Sequence, residues 1–156
     1  MSKIIIRQLT KQDYKAVRNV DIKTQKQYLG AKWNSLSDAE KEKHLVSRKS
    51  EFDINVNSGY CFVASINNII VGFLLAYETQ PFLKNIYIRY IGINPKYQGQ
   101  GIGSLIYKRL ISKAKKNNNK NIIALINLDN SQSMKLHKKL GFTLRDRKEA
   151  TLELER

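Results

Sequence analysis

The chain has 156 residues, 42% of them hydrophobic, and 28 Lys and Arg against 13 Asp and Glu for a net charge of +15. That length suits one domain, residues 1–156, burying roughly 70% of the surface its unfolded chain exposes, and no apolar run approaches the roughly 20 residues of a spanning helix. The single cysteine, Cys61, excludes an internal disulfide and fits a reducing compartment, so the expected location is the cytoplasm, with no membrane partner.

Met1–Arg7 is short, charged and without a cleavage-type ending, so it reads as the approach to a first strand, Lys3–Gln8, not as a signal peptide. Thr10 and Asp13 then form a capping pattern for a helix from about Lys11 to Leu29, with Gly30 as its stop. A loop around Trp33 follows, either a hydrophobic plug or a wall for a bound partner. Ser37-Asp38-Ala39-Glu40 is a second capping box, opening a charged helix to about Phe52. Tyr60–Ile66 and Ile69–Thr79 are strands joined by Asn67-Asn68, residues that tolerate positive φ in a two-residue turn. Cys61 lies inside the first of these apolar runs, which favours a packed thiol over a nucleophile. Pro81-Phe82 breaks the second run. Ile86–Ile93 is the next strand, a glycine-bearing stretch leads to a helix ending near Lys116, and Asn117-Asn118-Asn119 is a polar turn. Asn121–Leu128 reads as a strand, Ser131–Leu140 as a helix stopped by Gly141, and Phe142–Asp146 with Ala150–Leu154 as a closing pair of strands. The order gives a mixed α/β fold of the α+β type. Its single sheet is mostly antiparallel, with one parallel crossover through the helix after the glycines.

Those glycines carry the chemistry. After Asn94-Pro95 ends the strand, Gly99, Gly101 and Gly103 fall where a helix begins, so amides can converge there on the positive end of the helix dipole. Such a turn cradles an anion, most often a phosphate or pyrophosphate. A P-loop would need a lysine after its last glycine, whereas Ser104 and Leu105 follow Gly103. A dinucleotide fingerprint would need a third glycine at Ser104 and an acidic residue near Lys120, and has neither.

Gln98, Gly101 and Gly103 instead match the Gln/Arg-x-x-Gly-x-Gly/Ala loop of the GNAT superfamily of N-acetyltransferases, which the chain resembles. The segment from Asn130 through Ser133 and His137 to Gly141-Phe142 resembles that family's Asn-x-x-(Ala/Ser)-x-x-x-(Tyr/His)-x-x-x-Gly-Phe pattern, and histidine is found at that position in phosphinothricin-type members. The resemblance covers the C-terminal half well and the N-terminal half only in its order of elements. It implies a GNAT-like sheet flanked by helices, in which the parallel strands Ile86–Ile93 and Asn121–Leu128 splay apart.

The implied reaction is direct attack of a primary amine on acetyl-CoA, the amine being a protein N-terminus, a lysine or a small molecule. Ile91, Gly92 and Ile93 would meet the pantetheine arm, and Gly99, Gln100, Gly101, Ile102, Gly103 and Ser104 the pyrophosphate. Gln98, as part of the loop motif, is also expected among the cofactor-binding residues. Asn130 is a helix cap, a cofactor contact or both. The Ile93 N–H is the expected oxyanion donor, and His137 is either the acid or a polar residue orienting its helix or contacting the cofactor. Relatives carry a base glutamate at positions that here hold Leu125 or Ile88, which leaves Glu78 as a substitute candidate or a solvated strand-end carboxylate. Tyr87, Tyr90 and Tyr97 suit packing or rim positions. No metal is expected, since His44 and His137 lie far apart without ligand spacing. Lys108, Arg109, Lys113, Lys115, Lys116 and Lys120 either serve the phosphate end of coenzyme A or simply face water.

The acceptor pocket would come from the N-terminal helices and the loop at Gln80-Pro81-Phe82. The missing glutamate keeps open a catalytically inactive coenzyme A-binding or sensing module. A basic nucleic-acid-binding domain rests on charge alone, without zinc spacing, recognition-helix motif or RNP-like strand, so nucleic acid is expected only as a nonspecific partner. The sequence also leaves a homodimer open.

Overall fold

The computed structural model describes residues 2–44, 48–79 and 84–154. The chain parts into two compact units, Met1–Leu125 and Ile126–Arg156, taken separately below.

The first unit is built on a five-stranded sheet in sequence order: β1 (Ile4–Gln8), β2 (Phe62–Ile66), β3 (Ile69–Glu78), β4 (Asn85–Ile93) and β5 (Asn121–Ala124). Three antiparallel pairings and one parallel pairing, β4 with β5, match the expected mixed sheet. Asn67 and Asn68 take φ of 49° and 65°, as a tight hairpin turn between β2 and β3 requires. On one face lie α1 (Tyr14–Leu29) and α4 (Lys49–Asn55), with α2 (Ala31–Ser35) and α3 (Asp38–His44) between them in sequence. Val17 and Val20 of α1 and Phe52 of α4 join Val63, Phe73 and Leu75 in one core. On the other face α5 (Ile102–Lys116) buries Ile102, Ile106, Tyr107, Leu110 and Ala114, spaced as one stripe of a helix. Alternation along β3 divides the two cores: Phe73 enters the α1 side, while Gly72 lies under Ile106 of α5.

Cys61 is fully buried. Its thiol donates to the Asn55 carbonyl at 3.1 Å and burial pushes its pKa up, so it is a packed, unreactive group. Among the described residues no helix is long and apolar enough to cross a membrane, and no group of three His, Cys, Asp or Glu side chains gathers.

Several expected elements differ. The expected loop around Trp33 contains α2, and the ammonium groups of Lys26 and Lys41 lie 5.3 and 6.0 Å from the indole centroid. The single charged helix after Ser37 is two helices, because Arg48 takes φ −88° and ψ 26° at the start of α4 and sends its guanidinium to Asp21. The break expected at Pro81-Phe82 falls outside the described residues. The strand expected over Asn121–Leu128 stops at Ala124.

The second unit holds α6 (Ser131–Lys139). The closing strands expected at Phe142–Asp146 and Ala150–Leu154 do not form. Five consecutive charged residues, Arg145 to Glu149, interrupt the apolar alternation, and Leu152 and Leu154 stay 82% and 80% exposed, so no buried face fixes a strand register.

Gly92 lies close under α1: a Cβ there would sit 2.7 Å from the Phe73 ring and 3.3 Å from Thr24 Cγ2. Gly92→Ala should therefore destabilise the protein by about 1–3 kcal/mol through overpacking. Urea unfolding with an unchanged m value is the measurement that checks it.

Candidate active site

The site begins in how β4 is paired. Against β3 its rungs run through Ile93, opposite Gly72, but against β5 they cover only Asn85 to Ile88. From Arg89 onward that edge of β4 is open. The register also slips there: Tyr90 faces Leu75 and Ile88 faces Ala76, leaving Arg89 as an extra bulged residue. A bulge bends its strand and increases its twist, and this one begins where β5 departs. The expected parting of the parallel strands has this geometry as its cause.

Alternation then says which groups line the open edge. The Asn94 N–H donates to the Val71 carbonyl at 2.8 Å, toward β3. Gly92, two residues back, also turns its hydrogen-bonding groups toward β3, and its carbonyl lies beside Gly72. Ile91 and Ile93 therefore present theirs to the open edge. Of the three residues expected to meet a pantetheine arm, Gly92 offers only its lack of a side chain.

Beyond Ile93 the chain makes a compact turn. Asn94 Oδ1 accepts from the Lys96 N–H at 3.2 Å, and Pro95–Tyr97 form a short 3-10 turn. Gln98 is a hub: its Nε2 donates to the Ile93 carbonyl at 3.0 Å and to Gln27 Oε1 at 2.8 Å. Gln27 Nε2 returns a bond to Gln98 Oε1 at 3.0 Å. This reciprocal amide pair ties the turn to α1. Gly99 and Gly101 both take φ +77°, a left-handed backbone that side chains disfavour. A Cβ on either would meet nothing within 4 Å, so the turn faces open space. Gly101 caps α5 without any side-chain bond, and the amides of Ile102, Gly103 and Ser104 have no acceptor within the helix. The described backbone fits a diphosphate at this point. Gln100 is an exposed member of the same turn.

Glu78 is not brought to this place. It pairs opposite Ile86, at the start of β4 and roughly 20 Å along the strand from Ile93. There its Oε2 lies 3.2 Å from the Tyr60 hydroxyl, which also meets Asn117 and Asn119. The substitute-base assignment is set aside on that placement.

In the second unit, Asn130 Oδ1 accepts from the Ser133 N–H at 3.0 Å and caps α6. Gly141, at φ +90°, ends the helix, with Gly141 N–H donating to Lys138 and Phe142 N–H to His137. Phe142 packs edge-on against the His137 ring at 4.9 Å, the apolar contact that accompanies this type of helix stop. His137 is 2% exposed, and its Nδ1 lies 2.7 Å from the Ser133 carbonyl oxygen. A carbonyl only accepts, so Nδ1 carries a proton. In the neutral ring Nε2 is then an acceptor, and the ring donates through it only when doubly protonated.

Sequence reasoning missed Gln27, an exposed position inside a helix with no motif around it. It also missed the pair of Arg89 with Glu51, in which Arg89 Nε and Nη2 reach the two carboxylate oxygens at 2.8 Å each. A charged residue inside the apolar run Ile86–Ile93 was the available signal.

An open parallel edge feeding a glycine turn at a helix start is a main-chain surface that fits an extended ligand ending in a diphosphate. A sequence profile described as "Acetyltransferase (GNAT) family" matches residues 24–142, and the chain belongs to that family of acyltransferases. Among solved structures, it is similar to the PaiA N-acetyltransferase of Thermoplasma acidophilum in complex with coenzyme A, at a TM-score of 0.80 and 16% identity over 94% of this chain and 93% of that one. It is also similar to the ribosomal-protein-S18-alanine N-acetyltransferase of Escherichia coli, at a TM-score of 0.71 and 19% identity over 92% and 80% of the two chains. The aminoglycoside enzyme AAC(6')-Iy, bound to the bisubstrate analogue CoA-S-monomethyl-acetylneamine, aligns at a TM-score of 0.67 and 17% identity over 99% of each chain. No curated protein matches the sequence.

The Arg89 pair sets an acid limb. Hydrogen bonding from Arg89 holds the Glu51 carboxyl below its ordinary 4.5 despite partial burial. A carboxyl lowered on folding contributes stability that is fully present above its unfolded value and is lost as pH falls through the folded one. Arg89→Gln should thus lower the urea midpoint at pH 7 and leave a flatter decline as pH falls below the ordinary carboxyl value of 4.5 than wild type shows. Paired denaturation series across that range read both effects.

Proposed function

We propose that the protein is an N-acetyltransferase that moves the acetyl group of acetyl-CoA to a primary amine by direct attack. The observation that carries this is the continuity of one main-chain surface. The outward groups of Ile91 and Ile93 run into the unobstructed amides of the Gly99–Ser104 turn. An amide-bearing arm ending in a diphosphate matches that run of donors and acceptors. The residues that would hold it are Ile91 and Ile93 along the edge and Gly99, Gln100, Gly101, Ile102, Gly103 and Ser104 at the turn. Gln98 fixes the shape of that turn. Bound there, acetyl-CoA supplies an activated thioester.

The acceptor nitrogen forms the new C–N bond as the C–S bond breaks, losing one proton while the sulfur takes up one. The outward N–H of Ile93 is the donor for the carbonyl oxygen as it gains charge, and the Ile93 carbonyl is already occupied by Gln98. Asn130 is assigned to the cofactor as well as to its helix. The proposed part of His137 is to orient α6 and face the cofactor, since its Nδ1–H is engaged by Ser133. The matched segment 24–142 runs through the boundary between the two units, which supports residues 1–156 as one acetyltransferase domain. A cytoplasmic location is part of this reading, supported by a single cysteine that is buried and free.

Acetyl-CoA at about 100 times its Kd should stabilise wild type by about 2.7 kcal/mol, a melting shift that is easily read. Gly101→Glu places a side chain and a negative charge at a left-handed position of the turn and should abolish that shift. Equal shifts would refute the placement.

His137→Gln should lower kcat by less than about tenfold, whereas loss of a general acid costs 10²- to 10⁴-fold. Steady-state rates with any accepted amine separate the two, and a loss in the larger range restores the acid role.

A further inference from the structure

We infer that the acceptor is a small amine carrying its own carboxylate or phosphate, and that the site discriminates against polycationic amines. The inference rests on the acetyl-transfer reading and extends it to substrate class. A cleft of about 380 Å³ opens beside Tyr90, the residue just before the outward-facing Ile91. Gln25 of α1, Lys43 and His44 of α3, and Arg48 and Glu51 at α4 line it. That volume is of small-molecule size.

Its charges favour one sign. One carboxylate, Glu51, borders the cleft, and a second, Asp21, pairs with Arg48 of its wall; both are engaged by arginines. Asp21 Oδ2 accepts from Arg18 at 2.8 Å, from Gln25 at 2.9 Å and from Arg48 at 3.3 Å. Both oxygens of Glu51 are engaged by Arg89. Glu51, the carboxylate on the cleft, is therefore not left to receive the several ammonium groups of a polyamine or aminoglycoside. The cations are differently placed. Lys43 is exposed and makes no ion pair with any described residue. Arg48 meets Asp21 through Nε at 3.3 Å, and its guanidinium lies over the Tyr90 ring at 4.1 Å, on the wall of the cleft. His44 stands one helical turn from Glu40 and adds a further polar group to the rim. A chain of net charge +15 also repels polycations at long range and draws anions in. Lys43 and Arg48 therefore hold the anionic group of the acceptor, and its amine is directed toward the open edge of β4.

The test is calorimetric and kinetic, on the full chain saturated with coenzyme A for binding and supplied with acetyl-CoA for turnover. Glutamate and phosphoethanolamine represent carboxylate and phosphate acceptors; spermidine and neamine represent polycations. Wild type should bind and acetylate at least one of the first pair in preference to both of the second, and whichever of that pair is preferred identifies the anionic group. Lys43→Glu should cut affinity and kcat/KM for that acceptor about tenfold or more, as loss of a charge-assisted bond predicts, and improve those for spermidine. Lys43→Arg should retain the wild-type ranking. Tighter binding of either polycation, a ranking unmoved by Lys43→Glu, or no binding of either anionic amine overturns the inference. Acetyl-CoA binding to wild type and Gly101→Glu is scored separately, so the acetyl-transfer reading and the acceptor class can fail independently.

Discussion

The last rung between β4 and β5, Ile88 opposite Ala124, is the constraint from which the rest of the site follows. A sheet of this kind normally satisfies every interior strand on both edges, because an unpaired buried amide or carbonyl costs as much as a lost hydrogen bond. Here β4 is interior in order yet open over its final residues. The bulge at Arg89 supplies the mechanism: one extra residue turns the strand just where its parallel partner leaves. Arg89 is then fixed from outside the sheet, its guanidinium clamped on Glu51 of α4. An opening in the sheet thus depends on an ion pair on its helical face.

The open edge is useful only if the turn after it is held in place, and Gln98 does this with one side chain. Its amide satisfies the Ile93 carbonyl and locks to Gln27, so edge, turn and α1 become one assembly. Gln27 lies two residues beyond Gln25, which borders the cleft beside Tyr90. On the proposed reading the same helix carries both the support of the diphosphate turn and part of the acceptor wall. In the second unit, the residues of the Asn130 pattern have a comparable structural task. Asn130 begins α6, Gly141 ends it in a left-handed conformation, and Phe142 closes the stop against His137. The histidine at this position packs against Phe142 while its Nδ1 is held at the Ser133 carbonyl, and that contact fixes its tautomer.

What could be read from residues alone was what is local. The Asn67-Asn68 turn, both capping boxes, the glycine turn and the stop at Gly141 each depend on a few neighbours, and all formed where expected. The sheet's mixed character followed from element order. Long-range geometry was hidden. No local pattern announces that Gln27 and Gln98, 71 residues apart, exchange amide bonds. The closing strands were expected from the apolar residues on either side of Arg147-Lys148, but the charged run Arg145 to Glu149 leaves them no buried face to fix a register. Glu78 is the instructive case, because antiparallel pairing of β3 with β4 was itself expected. That pairing carries the end of one strand to the beginning of the next, and so takes Glu78 away from the turn.

The same distribution of charge shapes the chemistry. With Glu78 at the far end of β4 and Asp21 and Glu51 bound by arginines, the carboxylates bordering Tyr90 are occupied as hydrogen-bond acceptors. Glu51, held below its ordinary range, is a weak base as well as an occupied one. A carboxylate cannot at once accept two strong bonds from a guanidinium and take a proton from an approaching ammonium without giving up the pair. Freeing Glu51 would also release Arg89, and with it the bulge that opens the strand. On the proposed chemistry the acceptor nitrogen therefore sheds its proton to water before or during attack. Carboxylates that in another arrangement would activate the amine here maintain the shape of the sheet that receives it.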